Sequence, residues 1–379
     1  HPSQIYDPKY VDSFEVDGWF FAPQMRKAHA NGNMAYIPNH LHLACTKRLQ
    51  FVKPNIYVGA ASMPDKHGYV SLSLSNTYEK RMLEAADLVI LEVNPNMPYT
   101  LGDLQVPVSE VDYLVRADYA PPVIPDAPFS EKDAAIGKLI AEMVPDGSCI
   151  QLGIGGIPNA VAAALEQKND LGVHTEMLTS GMMRLAKMGV INGKCKQTYR
   201  GKMVTTFAMG VPELYEFIDY NPAVAVMDGA WVNDPYVIAQ NDNQVSINTS
   251  LEVDLTGQCA SESLGSRQFS GTGGQSDTAV GAQMSKNGKS IIALYSTAMV
   301  KGPDGQKQEV SKIVPQLMPG AAVSLSRNDV DRVVTEYGVA ELRGTSIRDR
   351  VARLIEIAHP KFREQLWDQA VEVGILGRR

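Results

Sequence analysis

Strand-length runs that are apolar on both faces constrain this chain most. Ile56-Tyr57-Val58-Gly59-Ala60-Ala61 and Leu88-Val89-Ile90-Leu91-Glu92-Val93 are nearly continuous in apolar residues. A strand of that kind needs cover on both faces, which helices laid on a mostly parallel sheet provide. Further runs over 148–152, 203–207, 224–227, 290–294 and 332–335 alternate with helix-like stretches. The expected class is therefore α/β, built from open, mostly parallel sheets. Smaller signals fit around these strands. A helix is expected over 23–32, stopping at Asn31-Gly32, then a short strand over 34–38, and a hairpin or a strand entering a loop over 65–74.

The segment from Tyr119 to Pro128 holds four prolines in ten residues, which rules out regular helix and marks a linker. Domains of roughly 100 to 200 residues are usual, so 379 residues suggest two. The boundary is placed near 128, giving 1–128 and 129–379. Beyond it Ser130 is positioned to cap a helix through Met143, with Glu131 and Asp133 in the first turn where the helix dipole favours negative charge. The stretch 346–373 reads as helix interrupted by Pro360.

Charge excludes several function classes. Forty-two acidic against 35 basic residues leave a net charge of -7 with no Lys/Arg block, so nucleic acid is not an expected partner. No apolar run approaches the length of a membrane span. Cys45, Cys149, Cys195 and Cys259 are scattered without a Cys-x-x-Cys pair, which signals neither zinc site nor disulfide framework and suits a reducing cytoplasm. The start, His1-Pro2-Ser3-Gln4-Ile5-Tyr6, has no signal-peptide character and no first strand. It reads as the middle of a fold, so a leading segment is expected to be missing.

Three stretches carry candidate chemistry. Gly153-Ile154-Gly155-Gly156-Ile157-Pro158 lies between a strand and a helix expected from about 160 to 167. Glycines there let an anion approach backbone N–H groups, and Glu176 falls near the spacing of a ribose-binding acid. Pro158 stands where the third glycine of a dinucleotide fingerprint belongs, which counts against NAD. A plain tight turn and a loop that binds a carboxylate or thioester both remain. The run Ile247 to Leu255 reads as one apolar strand in which Glu252 and Asp254 share a face, either a solvated sheet edge or a reactive carboxylate. The loop Gly271-Thr272-Gly273-Gly274-Gln275-Ser276-Asp277 follows, too rich in glycine for an inexpensive connection and polar enough to bind something. His40 and His42 read as one face of a strand with no third metal ligand nearby, so hydrogen bonding is expected and no metal. No Gly-x-Ser-x-Gly elbow supports a serine hydrolase.

Four ordered motifs resemble the acetyl-CoA hydrolase and 4-hydroxybutyrate CoA-transferase family of class I CoA-transferases. They are Gln151 to Val161, Ile247 to Gln258, Gly271 to Asp277 and Val334 to Gly344, supported in the first half by Tyr99-Thr100-Leu101-Gly102-Asp103 and Val108 to Tyr113. The resemblance implies two open α/β domains with the active site between them, and a glutamate nucleophile at Glu252. It also implies that Gly153, Gly155, Gly156, Gly271, Gly273, Gly274, Gln275 and Gly338 bind CoA or an oxyanion around it, with Asp254 in support. No permanently bound cofactor is implied; coenzyme A is a substrate, with acyl-CoA and small carboxylates such as acetate, butyrate or 4-hydroxybutyrate as partners. The expected protein is a homo-oligomeric enzyme of short-chain acyl-CoA metabolism. Thr278 stands where an aromatic often follows the acid of the glycine loop, which affects the acyl pocket or CoA contacts. Rival readings are an acyl-CoA hydrolase on the same scaffold, a nucleotide-binding oxidoreductase and a catalytically silent CoA-binding subunit.

Overall fold

Eight strands form the main sheet, in the spatial order Val224–Val226, Met203–Ala208, Gly172–Leu178, Cys149–Leu152, Gln244–Thr249, Lys289–Ala293, Arg332–Thr335, Gly338–Glu341. All neighbours are parallel except the last pair, which is an antiparallel hairpin. The chain enters at Cys149–Leu152, winds outward to Val224–Val226, then returns across the sheet to Gln244–Thr249 and winds outward the other way. The reversal lies between Cys149–Leu152 and Gln244–Thr249, whose register pairs Leu152 with Ile247. In open α/β sheets the loops beyond the carboxyl ends of the strands flanking such a reversal diverge and leave a crevice. Those loops are Gly153–Gly156 and Ser250–Glu252. The computed structural model describes residues 4–302 and 305–377, so the reading of His1 to Ser3 falls outside the described residues.

The central strands are apolar because both faces are covered. Ile150, Leu152, Val173, Leu178, Val245, Ile247 and Ile291 are buried in one core, each such side chain contributing about 1.5 to 3 kcal/mol when fully withdrawn from water. Over one face, helix Glu131–Glu142 packs on helix Gly156–Ala164 so closely that a Cβ at Gly137 would lie 2.8 Å from the Ala160 backbone. The first of these begins at the expected cap: Ser130 and Asp133 form a reciprocal capping box. The second begins at Gly156, four residues earlier than expected, because Gly155 takes φ +115° and starts the helix directly from the strand end. Pro158 is tolerated in its first turn, where the backbone N–H groups have no helical partner. A second core of Val253, Leu255, Leu294, Val333, Leu342, Val351 and Leu354 lies under the C-terminal helices Ile347–Glu356 and Arg363–Glu372, separated at Pro360–Phe362 as expected.

The first part of the chain carries a three-stranded parallel sheet, Ile56–Ala61, Leu88–Val93, Tyr113–Arg116. The expectation that these strands are covered on both faces fails here. Val58, at 65% exposure, and Tyr113, at 60%, flank Ile90 on a face with little cover among the described residues. The strand within 65–74 is Tyr69–Ser71, and it pairs with the distant Gln105–Pro107 instead of forming a local hairpin. Val16–Gly18 pairs in parallel with Met34–Tyr36, joined through helix Pro23–Ala30. His40 and His42 lie on no strand: His40 stands at the N-cap position of helix Leu41–Leu49, without a side-chain capping bond, and His42 sits in its first turn. Residues 119–128 carry no regular element. No described helix is long and apolar enough to cross a membrane.

Candidate active site

Glu252 lies just beyond the carboxyl end of the central strand, but not on it. The expected single strand over 247–255 is two strands, broken at Ser250-Leu251. Gln244–Thr249 stays in the main sheet, whereas Glu252–Asp254 pairs with Cys259–Ala260 and Ile313–Val314 in a separate three-stranded sheet. Ser250 makes the break: its Oγ donates to the Glu252 carbonyl at 2.9 Å and the Ala260 carbonyl at 3.0 Å, while its N–H still reaches Ala293. Glu252 is therefore no solvated sheet edge; it is 7% exposed, and its Oε1 accepts the Met318 N–H at 2.9 Å. Asp254 occupies the same face by alternation but is saturated. It accepts from Thr256 N and Oγ1 and from Gln258 N and Nε2, all within 2.9 Å, and so pins the turn at Gly257.

Both glycine stretches start helices next to this point. Gly153–Gly156 leaves the strand that pairs with Gln244–Thr249, and Gln151 ties the two strands by accepting from Ser246 Oγ at 3.0 Å and Ile247 N at 3.1 Å. Gly271–Gly274 leads into helix Gln275–Met284. Gln275 Nε2 donates to the Thr249 carbonyl at 2.8 Å, so this predicted ligand residue serves as the tie between helix start and strand end. The Gly274 N–H is directed at the Glu176 carboxyl, which removes it from the set of donors open to an oxyanion. Gly338, at φ +147°, opens the last strand two residues after Glu336.

The N-terminal part of the chain closes over the second loop. A Cβ on Gly271 would come within 2.6 Å of the Trp19 carbonyl. Tyr36 Oη accepts the Thr272 N–H, Leu41 N–H donates to the Gly273 carbonyl, and His42 Nδ1 bonds Asp277 at 2.8 Å. Burial is the largest single effect on the His42 ring and lowers its pKa, but the hydrogen bond and charge of Asp277, with the charge of Asp234, together outweigh it and the net direction is upward.

Sequence reasoning missed Lys312, Tyr295 and Asn233, and treated Glu176 only as a ribose ligand. Lys312 Nζ donates to the Ser250 carbonyl at 3.2 Å and lies 5.8 Å from the Tyr295 ring centroid. Tyr295 Oη bonds Asp133 at 2.6 Å, and Asp133 in turn lies against Gly156. Glu336 accepts from Ser296 N and Oγ and pairs with Lys132 at 3.2 Å. One available signal was a lysine directly preceding the apolar pair Ile313-Val314, within a stretch that reads as strand.

Glu176 reaches the loop from the neighbouring strand Gly172–Leu178. It keeps some solvent contact, yet protein surrounds its carboxyl closely enough that desolvation raises its pKa to about 7, against the Asn233 Nδ2 bond at 2.9 Å, which lowers it. A carboxyl whose folded pKa is raised binds more protons folded than unfolded between pH 4.5 and about 7. Stability falls across that window as pH rises, by at most about 1.4 kcal/mol per pH unit. Glu176→Gln retains an acceptor and has no titration. Its stability relative to the parent is expected to increase from pH 4.5 to 7, as read from urea midpoints; a pH-independent difference would refute the buried titration.

Two clefts of ≈ 390 and ≈ 600 Å³ open elsewhere, one beside Tyr99 and Tyr220 and one beside Phe129 and Arg184. Neither is lined by Glu252 or by the loop glycines. The site is defined instead by strand ends, two helix starts and a carboxylate at the sheet's reversal.

The chain belongs to a family of enzymes acting on CoA thioesters. The chain is a member of the acetyl-CoA hydrolase/transferase family, whose N-terminal domain matches residues 4–125 and C-terminal domain residues 210–370. It is 50% identical over 308 residues to 4-hydroxybutyrate coenzyme A transferase of Clostridium kluyveri, covering 81% of this chain and 70% of that protein. It is 44% identical over 357 residues to succinyl-CoA:cyclohexane-1-carboxylate CoA transferase of Geobacter metallireducens, covering 94% and 80%. The structure of RipA from Yersinia pestis superposes with a TM-score of 0.92 at 36% identity, covering 98% of this chain and 84% of RipA.

Proposed function

We propose that this enzyme is an acyl-CoA:carboxylate CoA-transferase that exchanges CoA between a short-chain acyl-CoA and a free carboxylate, with Glu252 as covalent nucleophile. Acetate with butyrate or 4-hydroxybutyrate is the proposed pair of acids. A Glu252 oxygen attacks the thioester carbonyl carbon, the C–S bond breaks, and an acyl-glutamyl anhydride and CoA thiolate result. The thiolate attacks the Glu252 Cδ, the bond from Cδ to the bridging oxygen breaks, and the first carboxylate departs with that oxygen, leaving a glutamyl-CoA thioester. A second carboxylate reverses both steps. No proton is gained or lost, so the residues must supply position, oxyanion donors and exclusion of water rather than acid–base chemistry.

The observation that supports this reading is a Glu252 carboxylate shielded from water just beyond the end of strand Gln244–Thr249, at the sheet reversal where the neighbouring strand runs into the Gly153–Gly156 turn. The Met318 N–H already donates to Glu252 Oε1 and is one candidate donor for charge developing at that carbon. Amides of Gly153 to Gly155 and of Gly338 are the others, each worth about 3 to 4 kcal/mol of barrier where correctly aimed. The names of the relatives support the transferase over the hydrolase.

Incubation with acyl-CoA followed by borohydride tests the proposal. Reduction of a glutamyl thioester to an alcohol is expected at Glu252 alone, and thioester loss is expected to require an added carboxylate. Active enzyme without modification at Glu252 rejects the nucleophile; loss of thioester without an acceptor makes the enzyme a hydrolase.

A further inference from the structure

Lys312 is fixed at the point where the elements of the site converge. Its backbone N–H donates to the Ser296 carbonyl at 2.9 Å and its carbonyl accepts the Val253 N–H at 2.9 Å, so it is held from both sides. Its ammonium donates to the carbonyl of Ser250, two residues before Glu252. The carboxylates whose charge reaches it are Glu336 and Glu252. Among the described residues neither is in ion-pair contact with it, and Glu336 is already matched by Lys132. In the free enzyme the Lys312 ammonium thus feels two carboxylates from beyond contact, Glu336 more strongly but shared with Lys132, and Glu252, which the parallel register of Val253 with Ile313 sets alongside Lys312.

Covalent chemistry unbalances this arrangement. As anhydride or thioester Glu252 is neutral, and the largely buried ammonium is left with Glu336 alone, a carboxylate already paired with Lys132. We propose that Lys312 then recruits the second anion, holding the CoA thiolate or the acceptor carboxylate against the neutral glutamyl carbonyl. This rests on Glu252 being the nucleophile. The bonds are those of the exchange: the acceptor oxygen attacks the thioester carbon, the C–S bond breaks, and the departing thiolate remains the counter-ion until it attacks the acyl carbonyl and restores the Glu252 carboxylate. Each stage then carries one anion beside Lys312, because a buried unpaired charge is costly. The requirement for an ammonium adds a pH signature. Burial lowers the Lys312 pKa to about 8 against the raising effect of Glu336 and Glu252. Other titratable groups on elements packed around it are Lys132, the Asp133–Tyr295 pair, Asp254 on the strand paired with Ile313–Val314, and Glu309, paired with Lys361, on the strand leading into Lys312.

The test compares the parent chain with Lys312→Met and Lys312→Arg, using acetate as the varied acceptor and borohydride labelling as a control. Methionine matches the stem without the charge and is expected to raise the acetate KM at least about tenfold, with the acyl-CoA KM changed far less. Arginine keeps the charge at all accessible pH and is expected to hold acetate binding while moving the alkaline limb of the parent profile upward from near pH 8. An unchanged acetate KM in Lys312→Met, with Glu252 still labelled, overturns the role of Lys312 alone. Absence of label at Glu252 in the parent overturns both proposals. If Lys312→Met does not fold, an alkaline limb unmoved in Lys312→Arg overturns the recruitment of the anion.

Discussion

Glu252→Gln is expected to lower kcat by about 10⁴-fold or more without unfolding the protein, since removal of a covalent nucleophile removes the reaction path and not merely one contact. The amide is isosteric and still offers an oxygen to the Met318 N–H, the bond that positions Oε1. Glu252→Asp keeps the charge but draws it back by one methylene, and a displacement near 1 Å costs about 10²-fold where reacting atoms must be pre-aligned. Asp254 is the internal control. Its four hydrogen bonds hold a turn, so Asp254→Asn is expected to cost about 1 to 3 kcal/mol of stability while the folded fraction keeps its chemistry. Turnover measured with denaturant unfolding separates the two carboxylates; a stable Asp254→Asn without activity, beside an active Glu252→Gln, would exchange their roles.

The parallel strands were legible because their burial is two-sided and leaves an apolar run in the sequence. The neighbour of the reversal, Gly172–Leu178, was not, because His174, Thr175 and Glu176 interrupt it with polar side chains that have partners inside the protein. His174 Nε2 bonds the Val232 carbonyl and Asn233 Nδ2 donates to the Glu176 carboxyl, contacts that no local pattern encodes. The break at Ser250 was hidden because the sequence keeps strand-like residues through it, while the switch of sheet is set by the Ser250 Oγ bonds and by pairing with the distant Ile313–Val314. Glu252 itself came from motif order. Its relation to Lys312 and Glu336 depends on residues 60 and 84 positions further along the chain and belongs to the fold alone. The histidines show the same limit: alternation suggested a strand, while the helix starting at Leu41 brings His42 to Asp277.

Gly274→Ala is expected to cost at least about 10²-fold in kcat/KM. The backbone is not the obstacle, since φ -101° and ψ 18° suit an alanine. Space is. The added Cβ would lie 1.9 Å from Asn233 Nδ2 and 2.1 Å from Glu176 Oε2, two atoms bonded to each other at 2.9 Å. Asn233 is fully buried and cannot swing away, so the loop must move instead. Displacement of the loop pulls Gln275 from Thr249, the tie that sets the helix start against the strand leading to Glu252. Overpacking of this kind costs about 1 to 3 kcal/mol of stability as well. Gly153→Ala provides the contrast, because its Cβ would meet only Pro158 at 3.9 Å and its φ lies outside the left-handed region. Parental stability is expected there, so any rise in its acyl-CoA KM reports the approach of the thioester to the first loop. If Gly274→Ala were as active as the parent, the second loop would have no part in placing the reaction.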